Sequence, residues 1–182
     1  MKIYLIRHGE AAEQWQEADD PGLSKLGHQQ AAATAELLLP KLESGVRLIS
    51  SPMVRARETA QPLAEALGIE PTIIEPFREI PTPVDRADRQ EWLRTIALQN
   101  WQDQHDMVRD WHAALLDELQ NVRGHAVVFT HFMVLNAIVG SLQKRDRVVC
   151  FLPANTSVTT VHWSGDEHQL IELGHQLKSK VN

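Results

Sequence analysis

Four side chains in this sequence have the chemistry to hold and transfer an anion. Arg7 and His8 stand together behind the apolar run KIYLI, residues 2–6. Arg55 closes the segment SSPMVR, residues 50–55, and His131 follows HAVVFT, residues 125–130. Arginine guanidinium groups match phosphoryl oxygens with two parallel donors. A neutral, oriented imidazole can act as a covalent nucleophile. If Arg7, His8, Arg55 and His131 converge, their charges repel one another unless something negative lies among them, and a phosphoryl group fits best. A metal is the main rival for paired histidines. It is disfavoured because Arg7 would repel a cation, no acidic cluster accompanies the histidines, and neither has H-x-x-x-H spacing. His28, His105, His112, His162, His168 and His175 have no such setting and read as surface or packing residues.

The elements that must position these groups follow from apolar spacing. Residues 2–6 read as a first strand. In open α/β sheets ligands bind at the carboxyl ends of strands, where Arg7 and His8 would then stand. Gly9 is expected to allow a sharp turn and leave room for a ligand beside His8. Residues 10–22 read as an acidic loop anchored by Trp15. Ser24 is a plausible N-cap for a helix ending near Pro40 or Gly45. VRLIS, residues 46–50, is a second strand. Pro52 then opens a helix that puts Arg55 in its first turn and stops at Gly68, with Pro62 kinking or dividing it. Residues 70–75 form a third strand.

A proline-broken loop with Phe77, Arg78, Glu79 and Ile80 follows. A helical region then runs from Asp85 to about Gln120, with a break near 101–106. Trp92, Trp101 and Trp111 read as core anchors rather than a base-stacking platform, because the charges between them are mixed. Residues 125–130 are another strand, and His131 opens the helix after it. Strands are expected at 148–151, 157–163 and 169–173, and a frayed tail at 178–182. Strand and helix alternate as in βαβ units. The expectation is a three-layer α/β/α sandwich with a mostly parallel central sheet. It forms one domain over 1–182, with residues 76–121 as a lid-like helical insertion.

Composition narrows the function classes. The chain has 182 residues, 43% hydrophobic and 23% charged, as in ordinary globular proteins. A net charge of −6 argues against a nucleic-acid partner. The single cysteine, Cys150, allows no internal disulfide and reads as a small packing residue. No stretch approaches the roughly 18 apolar residues of a membrane span, and no secretory signal pattern is present. A cytoplasmic protein is the default expectation. Oligomeric state is not coded in any motif.

Together, RHGE after a strand, SSPMVRARETA near residue 50, and a late strand ending in Thr130-His131 resemble the histidine phosphatase superfamily of phosphoglycerate mutase-like enzymes. The segment GLSKLGHQQAAATAELL also resembles that family, and the likeness covers residues 1 to about 160. It implies that His8 is a nucleophile forming a phosphohistidine. It further implies that Arg7, Arg55 and His131 hold the phosphoryl oxygens and that no metal or organic cofactor is needed. Glu79 resembles the family's acid position, with Glu13, Glu75 and Asp85 as competitors.

The sequence departs from the pattern in three ways. Phe132 stands where the family usually has glycine. The asparagine often found after RHGE in mutases is missing. The chain is short for a phosphoglycerate mutase. Asn155-Thr156-Ser157 resembles a family segment near the site and ranks as structural. The implied function is a histidine acid-type phosphatase, a phosphomonoesterase acting on a small phosphorylated metabolite. Alternatives are a phosphoglycerate mutase, a phosphohistidine-protein phosphatase, or a non-catalytic phospho-ligand binding module.

Overall fold

A computed structural model describes residues 1–12 and 20–177. Glu13, Trp15 and the tail from Lys178 lie outside the described residues. Six strands form one sheet. They are β1 (Lys2–Arg7), β2 (Arg47–Ser50), β3 (Thr72–Ile73), β4 (Ala126–Thr130), β5 (Val158–Trp163) and β6 (His168–Glu172), in the order β3-β2-β4-β1-β5-β6. The pairs β2–β3, β2–β4 and β1–β4 are parallel, whereas β5 runs antiparallel to β1 and β6 antiparallel to β5. Five helices flank the sheet: α1 (Lys25–Leu38), α2 (Val54–Leu67), α3 (Arg89–Ile96), α4 (Asp106–Asn121) and α5 (Phe132–Leu142).

Alternation along each strand divides the core into two. Tyr4, Ile6, Leu48, Val127 and Phe129 pack with Ala35 and Leu38 of α1 and Ala60 and Leu63 of α2. Ile3, Leu5, Ile49 and Val128 face the other way, onto Ile96 of α3, Leu115 and Leu119 of α4, and Leu135 and Ile138 of α5. The result is the three-layer α/β/α sandwich. Trp101 is buried, with His112 stacked on it at 4.3 Å and Trp111 tilted against it at 6.0 Å, so these rings anchor the helical layer.

Local signals fix several boundaries. The Ser24 hydroxyl accepts from the Gly27 N–H and caps α1. Gly68 ends α2 at φ 66°, a conformation that suits glycine. Three expectations need correction. Pro52 lies before α2 rather than in its first turn, and Met53 takes the cap position. Pro62 does not divide α2, which runs unbroken from Val54 to Leu67. Residues 148–151 are not a strand. There the Asn136 side-chain oxygen accepts from the N–H groups of both Cys150 and Phe151 at 2.8 and 3.1 Å, so a buried side chain from α5 satisfies the backbone without a ladder.

Gly9 also has a different purpose from the one its neighbours suggest. It is not at positive φ. A Cβ there would lie 2.7 Å from the Gly27 carbonyl oxygen and 3.1 Å from the Gly27 Cα. The glycine allows the end of β1 to approach the first turn of α1 backbone to backbone. A main-chain obstacle cannot rotate away, so Gly9→Ala is expected to destabilise the fold by about 1–3 kcal/mol, the range for overpacking. Thermal unfolding checks this, at roughly 2–4 °C per kcal/mol for a chain of this size.

Candidate active site

Sheet register brings the site together. Arg7 lies opposite Thr130 across the β1–β4 pair, and Ser50 opposite Phe129 across β2–β4. The residues just beyond these strand ends, His8, Ser51 and His131, therefore meet at one rim. The His8 N–H donates to the Thr130 carbonyl at 2.8 Å and the Ser51 N–H to the Phe129 carbonyl at 2.9 Å, extending the ladder by one residue on each side. His131 is the N-cap residue of α5, and Arg55 is the second residue of α2.

His8 is only 5% exposed, and Arg55 and His131 not at all. His8 Nδ1 lies 2.7 Å from the Gly9 carbonyl oxygen. A carbonyl can only accept, so Nδ1 carries the hydrogen and Nε2 presents its lone pair. Arg55 Nε donates to that lone pair at 3.2 Å. Burial, then the charges of Arg55 and Arg7, push the His8 pKa well below its ordinary 6.5, with the Gly9 bond opposing. The imidazole is thus neutral at pH 7. His131 is shifted the same way by burial, then by Arg55 and His8. The two imidazole rings are 5.2 Å apart and inclined at 58°.

Arg7 is held from two sides. Its Nη1 donates to the Pro153 carbonyl at 2.8 Å, and its guanidinium lies 5.3 Å from the centre of the Phe132 ring. Phe132, the departure from the family pattern, is thus a cation–π partner of Arg7. Burial lowers the Arg55 pKa to about 10, against the carboxylates of Glu79 and Asp20, which leaves it charged at pH 7. Asp20 Oδ1 is 3.5 Å from Arg55 Nη1, and both its oxygens accept from the Val54 N–H at the start of α2.

Glu79 turns inward and is 9% exposed. Its Oε1 accepts from the N–H groups of Ile80 at 3.0 Å and Met133 at 3.2 Å, so it also caps α5 beside His131. Burial raises its pKa, opposed first by Arg55 and then by the Ile80 bond, Arg89 and Arg7. Its neighbour Arg78 pairs instead with Glu75 at 2.7 Å on the surface. Glu75 and Asp85 are exposed, so of the carboxylates weighed from the sequence and described here, only Glu79 is buried near the cations.

Several contacts escaped the sequence reading. Thr59 Oγ1 accepts from the Gly9 N–H at 3.0 Å and donates to the Arg55 carbonyl, tying the end of β1 to α2. Ser51 Oγ lies 2.7 Å from His131 Nε2. Asn155 Nδ2 donates to the His8 carbonyl at 3.3 Å, and the Thr156 N–H to the Arg7 carbonyl at 3.0 Å. The Asn155–Ser157 segment thus braces the end of β1. Two surface clefts, of about 700 and 580 Å³, contain none of the five candidate side chains. Among the described residues no group of three or more His, Cys, Asp or Glu is arranged to hold a metal, and no helix is long and apolar enough to cross a membrane.

A profile of the histidine phosphatase superfamily (branch 1) matches residues 3–176. The chain belongs to this superfamily. It is 38% identical over 85 residues to a probable phosphoglycerate mutase GpmB of Photorhabdus laumondii, a match covering 44% of this chain and 38% of that protein. It is 25% identical over 162 residues to a probable phosphoglycerate mutase GpmB of Yersinia pestis, covering 78% of this chain and 74% of the relative. Among solved structures it is similar to phosphoserine phosphatase from Entamoeba histolytica in complex with 3-phosphoglyceric acid. That match has a TM-score of 0.71 and 26% identity, and covers 96% of this chain and 97% of the other.

Proposed function

We propose that this member of the histidine phosphatase superfamily is a phosphoric monoester hydrolase that works through a phosphohistidine on His8. The observation that carries the reading is the fixed tautomer of His8. A neutral ring with Nδ1–H tied to the Gly9 carbonyl has its Nε2 lone pair available, next to an arginine. In the first step Nε2 attacks phosphorus and the bond to the leaving alcohol breaks. Glu79, whose raised pKa favours a bound proton, supplies that proton to the alcohol oxygen. Arg55 turns its donors from His8 to the phosphoryl oxygens, where Arg7 and His131 assist. In the second step water attacks phosphorus, the Glu79 carboxylate takes its proton, and Nε2 leaves.

The upward shift of the Glu79 pKa, caused by burial, supports an acid-type phosphatase. The segment 76–121 contributes Glu79 and acts as a lid within a single domain. The substrate class is a small phosphorylated metabolite, supported by the relatives' names and by the acidic net charge, which disfavours nucleic acid. The cytoplasm, where such metabolites are made, is the working compartment.

The test is a panel of phosphoserine, 3-phosphoglycerate, other phosphorylated metabolites and a phosphohistidine protein, read by phosphate release. Release from one or more of the metabolites is expected. Isomerisation of phosphoglycerate with bisphosphoglycerate present, and no release, would instead establish the mutase that the Photorhabdus and Yersinia relatives' names suggest.

A further inference from the structure

We infer that Ser51 is a positioning residue that locks His131 in the tautomer with hydrogen on Nδ1, aiming that N–H at the transferred phosphoryl group. The inference deepens the proposed phosphatase reading and rests on it for its catalytic consequence. Ser51 is wholly buried, and so is His131. Their contact, Oγ to Nε2 at 2.7 Å, is short for a neutral pair. Ser51 Oγ also accepts from the Met53 N–H at 3.2 Å. A hydroxyl has one hydrogen to give, and the Met53 bond uses its accepting capacity. If His131 donated from Nε2, Ser51 Oγ would accept twice and its own hydrogen would be buried without an acceptor. If Ser51 donates, its hydrogen, its accepting capacity and the Nε2 lone pair of His131 are all used. His131 then keeps its hydrogen on Nδ1, a buried atom with no partner among the described residues.

An unpartnered buried donor is costly unless something arrives to accept it. A phosphoryl oxygen is such an acceptor, and His131 stands 5.2 Å from the His8 ring and at the N-terminus of α5. Protonating His131 would provide the same donor, but burial and the charge of Arg55 hold the ring neutral. A neutral imidazole in the wrong tautomer would point a lone pair at an anion. The serine hydroxyl prevents this. Buried partners that set the tautomer of a functional imidazole are typically worth about 10- to 100-fold in function.

The experiment uses the full chain with histidine labelled with 15N, the His131 signals being assigned by their loss in His131→Gln. The wild type is expected to show Nδ1–H and an unprotonated Nε2 at neutral pH. In Ser51→Ala the Nε2–H form should become populated. On the same protein kcat for nitrophenyl phosphate should fall about 10- to 100-fold, with KM changing less than threefold, as for a group that acts in the transition state. Ser51→Thr keeps the hydroxyl and should retain the wild-type tautomer and most of kcat. An Nε2–H tautomer in the wild type overturns the inference. So does Ser51→Ala with tautomer and kcat unchanged. If Ser51→Ala does not fold, the wild-type and Ser51→Thr spectra still decide. If the protein proves not to be a phosphatase, the rates are lost as a readout but the tautomer is not, so the two failures are distinguishable.

Discussion

His8→Ala should abolish phosphoryl transfer, with turnover of nitrophenyl phosphate falling by about 10⁴-fold or more, as when a covalent nucleophile is removed. The size follows from geometry. Among the described residues, no other side chain near the rim offers an unprotonated nitrogen lone pair in a fixed direction. His131 is the other neutral imidazole there, but Ser51 occupies its Nε2. Rapid quench of the wild type should trap label on protein that is stable in base and labile in acid. Because the Gly9 carbonyl ties up Nδ1, the phosphoryl group should be on Nε2, and phosphorus–nitrogen coupling in the trapped protein would identify the atom. A near-wild-type rate for His8→Ala would remove His8 from the mechanism. Phosphorylation at Nδ1 would show that the Gly9 contact breaks during turnover.

Glu79→Gln should separate two kinds of substrate. Alkyl phosphates lose a strongly basic alkoxide and need the proton, so their hydrolysis should fall by about 10²–10⁴-fold, the usual contribution of a general acid. Nitrophenyl phosphate has a weakly basic leaving group and should lose far less. Equal losses on both would give Glu79 another duty, such as capping α5 through Met133. The variant should also report on stability. The folded Glu79 pKa lies above the ordinary value of 4.5, so the wild type gives up a proton more readily unfolded than folded. Its stability relative to Glu79→Gln should therefore decline as pH rises from about 4.5 through the folded pKa, and level off above it. Glutamine can still accept from Ile80 and Met133, so the difference isolates charge. Melting temperatures of both proteins across that pH range test the sign, and a gap that moves the other way would mean that Arg55, Arg7 and Arg89 outweigh burial.

The order of strands and helices was legible because apolar runs, capping residues and glycine stops agree along most of the chain. Of the five side chains now at the rim, Arg7, His8, Arg55 and His131 could be picked out because each adjoins such a boundary, and Glu79 through the family resemblance. Their partners could not. Ser51 and His131 are 80 residues apart, and only the β2–β4–β1 adjacency brings them into contact. A reading with the strand order in hand would have paired them, since the register puts Ser51 beside Thr130. Residues 148–151 misled because Val148, Val149 and Phe151 carry strand propensity, while the acceptors that satisfy this backbone lie elsewhere, the Gln99 carbonyl for Val148 and the Asn136 side chain for Cys150 and Phe151. Gly9 misled because a turn and a close backbone approach leave the same mark in one sequence. The obstacle, Gly27, lies in a different motif.

The bonds on either side of residues 13–19 have a consequence for how such an enzyme can diversify. Ala11 bridges to Leu23, the Ala12 N–H donates to the Gly22 carbonyl, and the Ser24 N–H donates to the Glu10 carbonyl. Leu23 is fastened in turn to Glu58 of α2 through its N–H. The two stems are closed like the neck of a purse between β1 and α1. Lengthening a loop whose ends are already joined adds little closure entropy, about 0.6 kcal/mol per doubling. Insertions or exchanges between Ala12 and Asp20 therefore leave His8 where it is. The end of β1 that carries His8 is thus insulated from changes of chain length at this position.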